Sequence, residues 1–431
     1  MSTAAQSNRA FRAQLRKVYT WYTGGFVVFV TVLAVLEQMG LPRATMGYVF
    51  LAATILLYAG IGIMSRTNDA AEYYVAGRRV PAMFNGMATG ADWMSAASFI
   101  GMAGGLYLQG YSGLAFIMGW TGGYVLLALF LAPYLRKFGQ FTIPDFLGAR
   151  YGGHVPRLVG IVIAIVCSFT YVVAQIYGVG LITTRLTGVD FTVGIFLGLA
   201  GILVCSFLGG MKAVTWTQVA QYIILIIAYM IPVVWLAVKQ TGVPVPQLIY
   251  GKQLEKVTQL EEKLINDPKE KEVREIFRKR AADADAKLKD PAAAYAEGKA
   301  AAEKALADLK AANGAPEDIK KAESALAAYP KTEADAKAAW GKEKGMASRA
   351  APPLRHGEAF PGKDENARDI ARKNFLALVF CLMVGTAALP HILMRYYTTP
   401  SVKEARDSVA WSLFFIFLLY FSAPALAVLV K

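Results

Sequence analysis

The sequence predicts an all-α protein that crosses a membrane many times and carries one charged helical insert. Three observations lead there. Of its 431 residues, 55% are hydrophobic and only 18% charged, so most of the chain must hide from water. Charge and apolarity are also separated along the chain: residues 241–373 hold 26 of the 45 basic and 23 of the 31 acidic residues. Outside that segment, nine apolar stretches meet or approach the roughly 20 residues that a bilayer-crossing helix requires. An ordinary soluble enzyme is excluded.

The stretches run over 21–40, 46–64, 81–107, 112–134, 158–184, 191–210, 213–238, 374–394 and 408–430. Arg9, Arg12, Arg16 and Lys17 precede the first, and no small-x-small cleavage site follows it, so it reads as a retained anchor rather than a signal peptide. The basic residues sit in short connectors, which suits a membrane surface and not nucleic acid. With the N-terminus cytoplasmic, Arg9, Arg12, Arg16, Lys17, Arg66, Arg78, Arg79, Arg136, Lys137, Arg150, Arg157, Lys212, Arg395, Lys403 and Arg406 fall inside. Only Arg43, Arg185, Lys239 and Lys431 fall outside. Fifteen against four fits the positive-inside rule and places the insert on the outer face.

Four regions follow: 1–45, a cytoplasmic segment with an extra transmembrane helix; 46–240, the transmembrane core; 241–373, the insert; and 374–431, a further transmembrane segment. The insert's Ala/Lys/Glu/Asp composition favours exposed helix, broken by Pro244, Pro246, Pro291, Pro330, Pro352 and Pro353. It reads as an appendage with little core, a spacer as readily as a binding domain. Cys167, Cys205 and Cys381 lie in apolar runs and imply no disulfide framework or metal knuckle. Lys431 follows directly on an apolar span, as in an incomplete chain.

Eight acidic residues lie outside the insert, and Asp92 alone falls well within an apolar stretch. An intramembrane carboxylate is costly and marks function by default. Its surroundings, Gly86-Met-Ala-Thr-Gly-Ala-Asp92-Trp-Met-Ser95-Ala-Ala-Ser98-Phe-Ile-Gly101, make a weak helix that can open and bare carbonyls to a cation. The same glycines and serines would equally serve close helix packing, with Asp92 bonding a neighbour. Gly385-Thr386-Ala-Ala-Leu-Pro390-His391 predicts a second interruption, because Pro390 removes a backbone donor. Two broken helices, one opening each of two sets of five, point to a transport site.

Tyr171 and Gln175 share a helix face and either line a pathway or bond a neighbouring helix. His391 is either a packed side chain or a proton carrier, and with His154 and His356 far off in sequence no metal cluster forms. The connector around Thr215, Thr217 and Gln218 is a gate or a turn. No P-loop, dinucleotide fingerprint or nucleophile elbow appears, so no enzyme and no cofactor is expected.

Four segments, Gly90-Ala-Asp-Trp-Met-Ser-Ala-Ala-Ser-Phe-Ile-Gly101, Phe141-Thr-Ile-Pro-Asp-Phe-Leu147, Gly209-Gly-Met-Lys-Ala-Val-Thr-Trp-Thr-Gln218 and Gly385-Thr-Ala-Ala-Leu-Pro-His-Ile-Leu-Met-Arg395, together resemble the sodium:solute symporter family. Within it they look most like the acetate/monocarboxylate permease branch. The resemblance implies a LeuT-type five-helix inverted repeat, its second repeat incomplete here. It implies sodium as the coupling ion and symport of a small organic solute, a monocarboxylate such as acetate, across a bacterial inner membrane.

It further implies an ion site at Ala91, Asp92, Met94 and Ser95, with backbone carbonyls of Ala91 and Met94 as ligands and the other half beyond Lys431. The substrate pathway would use Trp93, Ser98, Tyr171, Gln175 and Thr386, and the gate Thr217 and Gln218. Some relatives place carboxylates at the positions of Trp93 and Gln218, so Asp92 either touches sodium or orients the opened segment. Two other functions fit the sequence: a membrane sensor using a transporter-like domain, and a structural protein displaying the insert.

Overall fold

The computed structural model describes residues 3–312, 315–352 and 354–431, and these are helical with no strand among them. The break expected at Pro353 falls outside the described residues. Seven helical stretches are long and apolar enough to cross a membrane, and a shorter apolar one covers Phe191–Ala200. Of the nine expected stretches, the third is not a single straight span.

The first helix, α1 (Thr3–Gln38), starts well before the apolar stretch and takes Arg12 and Arg16 into its first turns. It is tied to the chain by Tyr19, whose hydroxyl donates to the Trp216 carbonyl at 3.0 Å. Next comes α2 (Arg43–Met64), where glycines allow backbone approach: a Cβ on Gly62 would lie 2.7 Å from Cys205 Cα. The short α3 (Ala70–Val75) is capped by Asp69, which accepts from the Glu72 amide.

The third expected stretch is discontinuous. Its first part, α4 (Ala82–Trp93), ends at Met94 (φ −78°, ψ 55°), a π-turn covers Ala97–Gly101, and α5 (Met102–Gln109) resumes. After a one-turn 3₁₀ segment the chain enters α6 (Leu114–Phe130) and α7 (Ala132–Phe138). The motif Phe141-Thr-Ile-Pro-Asp145 opens α8 (Ile143–Tyr151) as a capping box: the Thr142 hydroxyl accepts from the Asp145 amide and donates to its carboxylate. Then α9 (His154–Thr187) runs for 34 residues, about 51 Å at the standard rise.

The sixth and seventh stretches make up α10 (Phe191–Thr241), which reverses at Gly210 (φ 50°, ψ −139°). The reversal follows from one distance. Cys205 Sγ lies 3.3 Å from Thr217 Oγ1, whereas twelve residues of straight helix would hold them about 18 Å apart. Lys212 Nζ then reaches Glu72 at 2.8 Å, and this hydrogen bond, with a second from Thr67, holds the Glu72 carboxyl below its ordinary value.

The membrane unit continues with α16 (Glu365–Ala387), a break at Ala388–Leu389, the single turn α17 (Pro390–Leu393), a 3₁₀ run over Met394–Thr398, and α18 (Val402–Val430). Its core gathers Trp93, Tyr124, Tyr222, Tyr396, Phe415 and Leu419. On α9, by contrast, Leu158, Val162, Ile165 and Phe169 are exposed, as lipid-facing residues should be when the bilayer is the solvent.

The chain divides into two compact units, 1–254 with 356–431 and 255–355. The part of α11 (Pro246–Asn266) from Glu255 onward, with α12 (Pro268–Lys287), α13 (Pro291–Ala311), α14 (Pro316–Ala327) and α15 (Glu333–Gly345), supplies the second. Proline begins four of these helices rather than interrupting them, since the missing N–H is an orphan at a helix start. Ala284, Ala336 and Trp340 form a small core with Leu288 and Tyr295 packed against it. Ion pairs such as Lys344–Asp285 (2.6 Å) and Lys310–Glu323 (2.7 Å) lie on the unit's surface.

Gly210 carries the reversal, because its backbone angles favour glycine and a Cβ there would lie 2.6 Å from the Tyr73 carbonyl oxygen. Gly210→Ala is expected to destabilise the detergent-solubilised protein by about 1–3 kcal/mol. Gly104→Ala, at a position with open space around it, should leave the thermal transition in place. Equal transitions for the two variants would refute this account.

Candidate functional site

The broken helix α4–α5 is held open by side chains that replace the lost backbone bonds. Gln175 Oε1 accepts from the Ala96 amide at 3.1 Å, Tyr171 OH donates to the Asp92 carbonyl at 3.3 Å, and Ser98 Oγ donates to the Trp93 carbonyl. These two α9 residues thus bond the break, and both line the space beside it. The opening falls at Met94–Ala96 rather than at a glycine. Gly86 and Gly90 serve packing instead: a Cβ on Gly86 would lie 2.5 Å from Trp411 Cβ, and one on Gly90 would lie 3.1 Å from the Tyr222 ring.

Beside the break is a cavity of about 240 Å³. Asp92, Trp93, Ser95, Ser98, Tyr171, Gln175 and Thr386 all line it, which brings together seven of the sequence-selected residues. Thr386 reaches it because α6 and α16 pack backbone to backbone: a Cβ on Gly123 would lie 2.6 Å from Thr386 Cβ. Trp120, His391 and Tyr420 complete the polar wall, and the sequence reading had not placed them there. Four selected residues do not line the cavity. Ala91 and Met94 pack into the core, Thr217 meets Cys205, and Gln218 Nε2 donates to the Asp92 carboxylate.

The partner of Asp92 is Arg395. Its Nε lies 2.5 Å from Asp92 Oδ2, and a second nitrogen lies 3.2 Å from Oδ1. The side chains are 10% and 3% exposed. The third nitrogen of the guanidinium donates to Thr215 Oγ1 at 2.9 Å, so α4, α10 and the 3₁₀ run after α17 meet at one buried charge pair. Arg395, counted among the cytoplasmic basic residues, is buried in the 3₁₀ run between α17 and α18, and the basic asymmetry stands at fourteen to four without it. The sequence held a clue, because a buried carboxylate requires a paired cation.

A polar ladder extends from the pair. Thr398 donates to Asn85 Oδ1 at 3.0 Å, and Asn85 Nδ2 donates to Ser408 Oγ at 2.8 Å. The hydroxyls of Tyr124 and Tyr396 lie 2.5 Å apart, with the Trp93 ring edge-on to Tyr124. Among the described residues no group of His, Cys, Asp and Glu is arranged to hold a metal ion.

Residues 73–281 match the sodium:solute symporter family. An uncharacterised symporter of Cupriavidus necator is 51% identical over 99% of this chain and 63% of its own length. Over this part the chain is similar to the sodium:solute symporter family. The monocarboxylic acid transporter of Corynebacterium glutamicum is 26% identical to this chain, over 89% of the chain and 54% of the relative. The chain thus spans between half and two thirds of the length of these relatives. Among solved structures it is similar to a substrate-bound, outward-open Na⁺-coupled sialic acid symporter, with a TM-score of 0.47 and 16% identity over 89% of this chain and 60% of that one.

The buried ion pair gives a sharp expectation. Asp92→Asn or Arg395→Gln alone leaves a buried charge without its partner, and each should cost about 3–5 kcal/mol. The double variant should be more stable than either single one, as read by thermal unfolding in detergent. Losses that simply add would show that the two residues do not act as a pair.

Proposed function

We propose that the protein is a sodium-coupled secondary transporter of a small organic solute, a monocarboxylate such as acetate, in a bacterial inner membrane. The observation that carries this reading is the cavity at the opened helix. Its volume of about 240 Å³ lies below the roughly 300–1,000 Å³ of sites for drug-sized ligands and suits a solute of a few heavy atoms. Its wall offers the hydroxyls of Ser95, Ser98 and Thr386, the indoles of Trp93 and Trp120 and the amide of Gln175, together with apolar Leu389 and Ile392. That mixture suits a short carboxylate with a methyl end. The name of the Corynebacterium glutamicum relative points to the same solute class.

Sodium is the coupling ion in this reading, with oxygen ligands from the Ala91 and Met94 carbonyls and the Ser95 hydroxyl where the helix opens. Asp92 then acts by orientation. Its charge is matched by Arg395, and its carboxylate, held also by Gln218, fixes α4 at the point of opening. Gln218 holds α10 against the same region, while Thr217 bonds Cys205 across the Gly210 reversal, and the two form the gate in this reading. The two breaks, in α4–α5 and in α16–α17, open the two halves of the LeuT-type repeat.

In vesicles carrying the full-length protein, labelled acetate should accumulate under an inward sodium gradient and not after a sodium ionophore collapses it. Acetate uptake indifferent to sodium would overturn the coupling, and no uptake would overturn the solute.

The orientation belongs to the same proposal: N-terminus cytoplasmic, insert outside, supported by the basic asymmetry. Single cysteines introduced by Ala300→Cys and Ala71→Cys should react with an impermeant thiol reagent from the outside and the inside respectively. The opposite pattern would invert the topology.

A further inference from the structure

His391 lines two cavities and is the one residue common to both. The first is the cavity beside the opened helix. The second, of about 400 Å³, is bounded by α8 through Thr142 and Asp145, by α9 through Arg157 and Ser168, and by Pro390 and Met394. The cavities adjoin along α9, because Ser168 faces one and Tyr171 the other, a rise of only about 4.5 Å. At the joint the His391 ring lies against the Tyr171 ring, with centroids 4.4 Å apart.

The ring's support is short. His391 sits on the four-residue α17, which follows the non-helical Ala388–Leu389 and gives way at once to a 3₁₀ run. Few backbone bonds hold it in place compared with a residue in mid-helix. Its chemistry is also distinct: Asp92 and His391 are the charged or readily ionised side chains of the first cavity, which has no lysine or arginine in its wall. The Tyr171 hydroxyl donates to the Asp92 carbonyl, and His391 adds a polar ring at the joint.

We propose that His391 is a specificity-determining residue of the solute route, closing the first cavity toward the second and setting the size of carboxylate that passes between them. This rests on the transport reading given above. In the proposed orientation the second cavity, beside the α8 connector, is the inner portal.

The test uses full-length protein in which Cys167, Cys205 and Cys381 are replaced by serine, reconstituted with a sodium gradient. With Ser168→Cys added, acetate plus sodium should slow labelling by an impermeant methanethiosulfonate at least threefold. His391→Ala should raise the ratio of butyrate to acetate uptake by about tenfold or more, the scale on which a pocket discriminates single methylenes. His391→Gln, which keeps much of the side-chain volume and a donor, should hold the original ratio. A merely structural histidine would lower both uptakes together and leave the ratio in place. An unchanged ratio in His391→Ala, or labelling at Ser168→Cys that acetate leaves unaltered, overturns the proposal alone. No sodium-driven acetate uptake by the unsubstituted protein overturns the transport reading, and this proposal with it.

Discussion

The charge pair between Asp92 and Arg395 is the constraint on which the membrane unit depends. Each partner alone would be prohibitively costly in an apolar interior, and together they are tolerable only with good geometry and further hydrogen bonds. The structure supplies both, through two guanidinium–carboxylate contacts and the added partners Gln218 and Thr215. Because these four residues come from α4, α10 and the segment after α17, satisfying the pair fixes three elements at once. Asn85, Thr398 and Ser408 then carry the polar contacts on to α18.

That fixed frame explains how a helix can stay open in the apolar interior. Opening α4 between Met94 and Ala96 frees amides and carbonyls that water cannot solvate there, and each would cost about 1–3 kcal/mol if left unpaired. Gln175, Tyr171 and Ser98 take over three of those groups. Two of these residues stand on α9, so the position of α9 and the shape of the cavity are set together. Close approach elsewhere comes from glycine, as at Gly86 against Trp411 and Gly123 against Thr386.

Much of this arrangement was legible in the sequence, and the part that was not has a physical reason. Apolar length alone located the spans, and helix-weakening residues with a lone carboxylate located the opening. Periodicity put Tyr171 and Gln175 on one face, and both reach the break. The burial of Arg395 was not legible because hydropathy reads charge next to a span as a boundary, while three-dimensional pairing can bury it. The reversal at Gly210 was legible as a connector but not as a forced glycine, since that depends on the Tyr73 carbonyl. His391 was ambiguous for the same reason: its neighbours on α8 and α9 are over two hundred residues away in sequence.

One consequence concerns how coupling can arise in the transport reading. Asp92 and Arg395 cancel one another, so the cavity wall presents little net charge to an arriving carboxylate. A lone anion there would lack a fixed partner and would bear much of the cost of desolvation. A sodium ion held at the neighbouring backbone opening supplies the missing positive charge, and a lone sodium would in turn gain from the carboxylate. Each then binds better in the presence of the other, and such coupling is reciprocal by linkage. In that proposed reading the internal ion pair would serve transport by being neutral: a free arginine in the wall would hold the carboxylate without sodium, and a free aspartate would repel it.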